Sequence, residues 1–394
     1  MRRVMPLITL FLIVEFLDEV VFSVREAAWP IVRTDLNLTY AQIGILLSIP
    51  TIAGNLIEPI LGILGDVWKR RLLVLGGGIG VCIASLMTGF SGGFLALLIA
   101  QIVFSPSSGA FVSLSQATLM DTDPSRHEQN MARWTFAGSV GMLTGSLLIS
   151  VFLNTSGAWR WAYIVWAGVA FVVLMILWQT PFPNARPESD GAPLTFKHGL
   201  LNAWKNLRRL EVIRWLVLLE LSNLMLDILL GYLALYFVDV VGVSEGEAAF
   251  AIGIWIGVGL IGDFLLIPLL ERVRGLDYLR VSAVVELILF VVFLLVPSAP
   301  LKIACLAIIG VFNAGWYAIL QANLYSTMPN QSGTVLTLNN IAGLVGGFIP
   351  LVIGLVAEHA GLANAMWLFV FGPVGLLIGL PRKRNLIEPK IEDL

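Results

Sequence analysis

The chain has 394 residues, 58% hydrophobic and only 13% charged, with 24 Lys and Arg against 26 Asp and Glu for a formal net charge of -2. No single soluble core of this length could hide so much apolar surface, so a soluble globular protein is excluded. There is no basic face to suit nucleic acid.

Apolar runs long enough for a helix to cross about 30 Å of hydrocarbon recur along the whole chain. In chain order the predicted spans are 5–32, 41–64, 72–89, 93–120, 131–153, 159–180, 211–240, 246–271, 277–297, 301–327, 332–356 and 362–381. They are continuously apolar, with Gly and Pro scattered inside, whereas a membrane barrel needs segments of about ten residues alternating apolar and polar. The expected fold class is therefore an all-α polytopic membrane protein with twelve spans.

The first span is broken by charge in VEFLDEVVFSVREAAWP, Val14 to Pro30. At helical spacing Glu15, Asp18, Glu19, Phe22, Arg25 and Glu26 share one face. Each ionised group at membrane depth carries a penalty that lipid cannot relieve, so this face should line an interior cavity. Asp18 and Glu19 are expected at mid-depth, and Glu15 closer to one end. The segment is no cleaved signal: Arg2 and Arg3 precede an apolar run that is too long, lacks an A-x-A-like site and continues into charge.

Lys and Arg set the orientation. One set of loops holds Arg2, Arg3, Lys69, Arg70, Arg71, Arg126, the basic stretch from Lys197 to Arg214, Arg272, Arg274, Arg280 and the tail from Arg382 to Lys390. The opposite loops hold only Arg33, Arg160 and Lys302. Both termini are expected to be cytoplasmic. Cys82 and Cys305 fall inside spans, which argues against a disulfide or a thiolate zinc site, and no cofactor is expected.

The two halves of the chain overlay at one offset. Glu15 and Glu220, Thr39 and Ser244, Glu58 and Asp263, and Asp66 and Glu271 each stand 205 positions apart, as do Gly138 and Gly343, and Gly141 and Gly346. Thr39 with Gln42 and Ser244 with Glu247 both read as capping boxes, in which each side chain satisfies a free backbone N–H at the start of a helix. The expectation is two six-helix bundles, 1–180 and 211–394, in parallel repeat. The segment 181–210 joins them: PFPNARPESDGAP cannot continue the sixth helix, and GLLNAWKNLRRLE reads as a short interfacial helix.

This organisation resembles the major facilitator superfamily of secondary transporters. The most specific local match is GILGDVWKRRL, in which Gly62, Leu64, Asp66, Arg70 and Arg71 fit the superfamily's cytoplasmic loop signature, while Val67 and Lys69 depart from it. The resemblance implies a charge relay through Asp66 and Arg70 that latches the cytoplasmic side; the bland alternative is a positive-inside anchor. GAWRWAYIVWAG resembles the usual entry to span 6. Two features of proton-coupled and drug-exporting members are missing: Gln101 stands where many carry an Arg in span 4, and GSVGMLTG in span 5 keeps the glycines without the Gly-Pro pair.

The resemblance also implies a central path lined by spans 1, 4, 7 and 10. Asp227 then faces Asp18 and Glu19 from span 7, and Gln101, Ser108, Gln116, Asn313 and Gln321 supply polar walls. Glu58 and Asp263 are either proton sites or structural caps, Glu220 lies closer to the inside, and Glu286 in peripheral span 9 is structural or interfacial. Arg25 either neutralises a neighbouring acid or anchors an anionic group. Clustered acids suit a site where a cationic solute and protons compete, so the leading expectation is proton-coupled efflux of a cationic or amphiphilic compound by a monomer. The alternatives are movement of an organic anion or zwitterion on Arg25, or a non-transporting receptor. No metal-ligand cluster, hydrolase motif or P-loop points to an enzyme.

Overall fold

The structure is a computed structural model that describes residues 7–67, 69–122, 127–152, 158–182, 205–328 and 332–381. Among these, twelve helical spans follow one another: α1 (Leu7–Leu36), α2 (Tyr40–Val67), α3 (Arg70–Gly89), α4 (Phe94–Met120), α5 (His127–Phe152), α6 (Ala158–Gln179), α7 (Leu210–Val241), α8 (Glu245–Leu270), α9 (Gly275–Leu295), α10 (Ala299–Thr327), α11 (Thr337–Ala360) and α12 (Leu362–Gly379). There are no strands among the described residues. Residues 199–204 of the predicted interfacial helix and the basic C-terminal tail lie outside them.

Each expected span is a helix, with differences at the ends. α1 runs on through Pro30 to Leu36, a turn beyond the predicted boundary. It stops at Asn37, which takes the left-handed conformation at φ 50°, while Leu38 N–H closes back on the Arg33 carbonyl at 2.9 Å. The equivalent residue 205 positions on is Gly242, at φ 82°, which ends α7. The next helix then opens on a capping box in both places: Thr39 with Gln42 at 3.0 and 3.2 Å, and Ser244 with Glu247 at 2.9 and 3.3 Å. Local chemistry thus repeats the same stop and start in the two halves of the chain.

Ten of the twelve helices are long and apolar enough to cross a membrane unaided. The two outside that set, α1 and α5, are packed against each other along their length. Gly141 and Gly145 of α5 meet the α1 carbonyls of Phe16 and Val20 so closely that an added Cβ would overlap them. Small residues at such a seam let backbones approach, which is how helices associate where lipid offers no hydrophobic drive. Polar helices are therefore shielded mainly by each other.

The first six and last six helices meet where α2 packs on α11, α5 on α8, and α1 on α7 and α8. The tightest approach is at the end where α1 passes into α2. There Gly44 lies against Gly354, and a Cβ on Gly44 would stand 2.8 Å from the Pro350 carbonyl oxygen. Leu351 N–H donates to Ser48 Oγ at 2.9 Å. Beyond it, Arg33 pairs with Asp239 at 2.9 Å, the Tyr40 hydroxyl donates to the same carboxylate at 2.9 Å, and Tyr40 N–H donates to Glu358 at 2.8 Å. The molecule is closed at this end.

The three basic residues expected on this face are all engaged. Besides Arg33, Arg160 pairs with Asp35 at 2.7 Å. Lys302 is buried and donates to the Tyr236 hydroxyl at 2.8 Å and to the last carbonyls of α9, Phe293 and Leu294. A cation there meets the negative end of the helix dipole. Both cysteines are free thiols, Cys82 on α3 and Cys305 on α10.

Five helices depart from regular α geometry among the described residues. α4 contains a π-helical turn at Gly109–Ser113, α7 contains two, at Leu224–Ile228 and Phe237–Val241, α11 is broken at Gly347 and Phe348, and α12 contains a 3-10 turn at Met366–Val370. α10 is interrupted between Phe312 and Trp316, where Gly315 takes φ 71°. Extra or missing residues in a helical turn rotate everything that follows, which decides which side chains face the centre.

Candidate functional site

A cavity of about 500 Å³ lies between α1, α2 and α4 on one side and α7 and α11 on the other. Its walls carry five acids, Asp18, Glu26, Glu58, Glu220 and Asp227, and one base, Arg25. Apolar surface comes from Val21, Phe22, Leu46, Leu47, Phe104 and Ile228. A mixed lining with a few convergent polar groups is what a small-molecule site requires.

Arg25 and Glu26 are adjacent on α1 and bound to each other. Arg25 Nε donates to Glu26 Oε1 at 2.8 Å and Nη2 reaches the same oxygen at 2.7 Å. Trp29 Nε1 donates to the other oxygen at 3.1 Å, so the 2% exposed Glu26 is accounted for. The Arg25 guanidinium also stands 4.9 Å from the Phe22 ring centre. The acid that Arg25 meets is its chain neighbour Glu26.

The other four carboxylates have no ion-pair partner among the described residues. Asp18 accepts a 2.7 Å hydrogen bond from Ser108 Oγ of α4. Glu58 of α2 lies against Gly109, the first residue of the α4 π-turn, with its carboxylate oxygen 2.9 Å from where a Cβ would stand. Glu220 lies over Gly346 of α11, and Asp227 sits within the α7 π-turn. Five carboxyl groups against one guanidinium give the lining a negative formal charge.

Several expected site residues do not line this cavity. The arc of α1 that carries the acids is wide, and the structure divides it. Asp18, Phe22 and Arg25 point inward, whereas Glu15 and Glu19 lie on the α1–α5 seam against Gly138 and Gly141. Gln116 follows the α4 π-turn and is turned away, its amide near Met131 Sδ at 3.6 Å. Asn313 and Gln321 flank the interruption of α10 and are likewise off the lining, each with a buried polar atom that has no hydrogen-bond partner. Asp263 is exposed beside that interruption. Of the repeat-related pair, Glu58 lines the cavity and Asp263 does not. Glu286 is fully buried on α9, with neither oxygen bonded.

Gln101 does face the cavity, and its amide donates to Thr88 Oγ1 at 3.4 Å. At the other end of α2, Gly62 has open space around it, Arg70 Nε donates to the Gly65 carbonyl at 3.1 Å and Arg71 donates to the Trp178 carbonyl at the end of α6. The Asp66 side chain lies outside the described residues. Sequence reasoning missed Asn55, Tyr163 and Asn223 as lining residues. Asn223 had a signal, since it stands 205 positions after Asp18; Asn55 had a weaker one, a single amide one turn before Glu58; Tyr163 is hidden in an aromatic run.

A family model described as Major Facilitator Superfamily matches residues 11–351. The fosmidomycin resistance protein of Escherichia coli strain K12 is 22% identical over 376 residues, covering 94% of this chain and 91% of that protein. The multidrug efflux pump SdrM of Staphylococcus aureus strain N315 is 26% identical over 205 residues, covering 50% of this chain and 44% of the pump. Among solved structures, a bacterial homologue of the human lysosomal transporter Spinster, inward-facing and unoccupied, superposes with a TM-score of 0.77 at 16% identity over 95% of each chain.

Proposed function

The chain belongs to the major facilitator superfamily, a family of membrane transporters and not of enzymes, and from this premise we propose that it exports a cationic or amphiphilic small molecule in exchange for protons. The observation that carries the reading is the cavity: four carboxylates on α1, α2 and α7 without an ion-pair partner among the described residues, beside an Arg25 paired with Glu26. A carboxylate in such a place can hold either a proton or a cationic group, and exclusive occupancy is what couples the two fluxes. A resistance protein and a multidrug efflux pump among the relatives support export.

In this reading residues 1–180 and 211–394 move as two bodies joined by 181–210. The face bearing the Gly62, Asp66, Arg70 and Arg71 motif is cytoplasmic, as are both termini, and the membrane is the cell's inner membrane. The closed end at Arg33, Tyr40 and Asp239 then faces outward. Substrate enters from the cytoplasmic side, Asp18 and Asp227 bind it across the two halves, and closure there opens the outer end. One protomer contains the whole path, so a monomer suffices.

The test is flux in proteoliposomes, with and without an imposed pH gradient, across a panel of cationic, zwitterionic and anionic solutes. Gradient-dependent movement of cations is expected. Movement confined to anions, or indifferent to the gradient, overturns the reading.

A further inference from the structure

Behind Arg25 the central cavity has a neighbour. A small space of about 10 Å³, wholly within the first six helices, is lined by Arg25, Trp29, Thr88, Gln101, Trp159 and Tyr163 together with Val32 and Leu97. Arg25, Gln101 and Tyr163 line both spaces and so form the wall between them. A volume of roughly 10 Å³ is about one probe sphere, the least that holds a water, which must also find two to four polar partners.

Those partners are present. A guanidinium has five N–H donors, and the contacts of Arg25 Nε and Nη2 all go to one oxygen of Glu26, which leaves donors for other groups. The Gln101 amide N–H is directed to Thr88, which leaves its oxygen to accept. The Tyr163 hydroxyl lies on the same wall. Wholly apolar cavities stay dry; this one has apolar walls from Val32, Leu97 and two indoles, but Arg25, Thr88, Gln101 and Tyr163 bring polar groups to it.

The chamber is stopped on the far side by one side chain. Trp159 is 0% exposed and lines the chamber. Its indole N–H donates at 3.2 Å to Asp35, whose side chain is 41% exposed at the end where the two halves are closed. Arg160 holds Asp35 from the other side at 2.7 Å and stacks 4.3 Å from the indole centre. The indole therefore spans from the chamber to a hydrated carboxylate.

We infer that this chamber holds water and is a proton branch of the central cavity, leading from Arg25 and Gln101 to Asp35, with Trp159 as its plug. Protons pass along water and the Tyr163 hydroxyl without any bond to substrate. The branch gives the cavity acids access to the closed face while the halves stay together there. The plug prevents that access from becoming a leak. The inference supplies a route for the exchange proposed above, but its test contains no substrate and so stands or falls apart from that reading.

The experiment measures proton entry into substrate-free proteoliposomes loaded with a pH-sensitive dye, with potassium and valinomycin present so that charge does not limit the rate. Trp159→Ala is expected to speed equilibration at least tenfold over the parent protein, and Gln101→Leu added to it, placing a branched apolar side chain at the chamber wall, is expected to restore the parent rate. Trp159→Phe keeps most of the bulk but loses the N–H to Asp35, and an intermediate rate is expected; this variant decides the matter if Trp159→Ala does not fold. Radiolytic labelling gives an independent reading: Trp29, which lines the chamber and not the central cavity, should be oxidised by local water while Trp316, fully buried elsewhere, is spared. Parent-like proton rates in the folded Trp159 variants, or a leak that Gln101→Leu does not close, overturn the inference, as does labelling of Trp29 no greater than that of Trp316.

Discussion

The Glu220 carboxylate lies directly over Gly346, and its counterpart 205 positions earlier, Glu15, lies over Gly138. The same construction recurs between the second and fourth helices of the first half, where Glu58 rests on Gly109. Each acid thus faces a backbone without a side chain or an irregular turn. Glycine gives a carboxylate room that a larger residue would fill.

One consequence concerns stability. Gly346→Ala places a methyl group inside the volume now held by the Glu220 carboxylate, so the acid or the helix must shift. Overpacking of this kind costs about 1–3 kcal/mol. Thermal unfolding in detergent should show the loss, and Glu220→Ala in the same chain should recover most of it. Recovery by Glu220→Gln as well would mean that charge, not volume, is the problem.

A second prediction separates two contributions to the closed end. Arg33 and Asp239 are 28% and 23% exposed, and an ion pair of that kind contributes about 0.2–1 kcal/mol. Close contact at Gly44 and Gly354 involves backbone against backbone and cannot be relieved by a rotamer change. Arg33→Ala should therefore shift the conformational balance only a few-fold, whereas Gly354→Val should keep this end from closing. Accessibility of a cysteine introduced at Leu47 to a water-soluble thiol reagent, applied to sealed vesicles from the closed side, reports both.

Lys302 offers a third. Its ammonium satisfies the Tyr236 hydroxyl and two terminal carbonyls of α9, so Lys302→Met leaves buried polar groups unpaired. Each costs about 1–3 kcal/mol. Lower thermal stability with an unchanged order of substrate preference is expected. A change in which solutes are carried would place Lys302 in the transport path instead.

At Asp18 the hydroxyl of Ser108 supplies the only hydrogen bond to the carboxylate that the structure shows. Ser108→Ala should weaken substrate binding by about tenfold or less, since one such bond to a charged group is worth roughly 1.5–3 kcal/mol before water replaces it. Ser108→Thr should retain it. Concentration dependence of flux distinguishes them.

Much of the architecture was legible because its signals are local. Hydropathy located the spans, and Thr39 with Gln42 and Ser244 with Glu247 marked helix starts that the structure places at the same residues. The charged face of α1 was also legible, but not its division. Whether Glu19 joins Asp18 in the cavity or lies against α5 depends on how closely Gly138 and Gly141 let α5 approach, which is a property of two helices and not of one. Gln116 and Gln321 were expected in the walls because they are polar residues of spans 4 and 10, but each follows an irregular turn, a π-turn in α4 and an interruption in α10, that resets which side faces the centre. Tyr163 was missed because an aromatic residue among aromatics has no pattern to distinguish it.

The central claim is that protons and a cationic substrate share the cavity carboxylates Asp18 and Asp227. It is tested most directly by comparing two fluxes in the Asp18→Asn and Asp227→Asn variants: exchange of labelled for unlabelled substrate at equal pH, and accumulation driven by a pH gradient. Loss of gradient-driven accumulation, with substrate exchange retained in at least one of the two variants, is the predicted result. Full gradient-driven accumulation in the chain carrying both substitutions would contradict it.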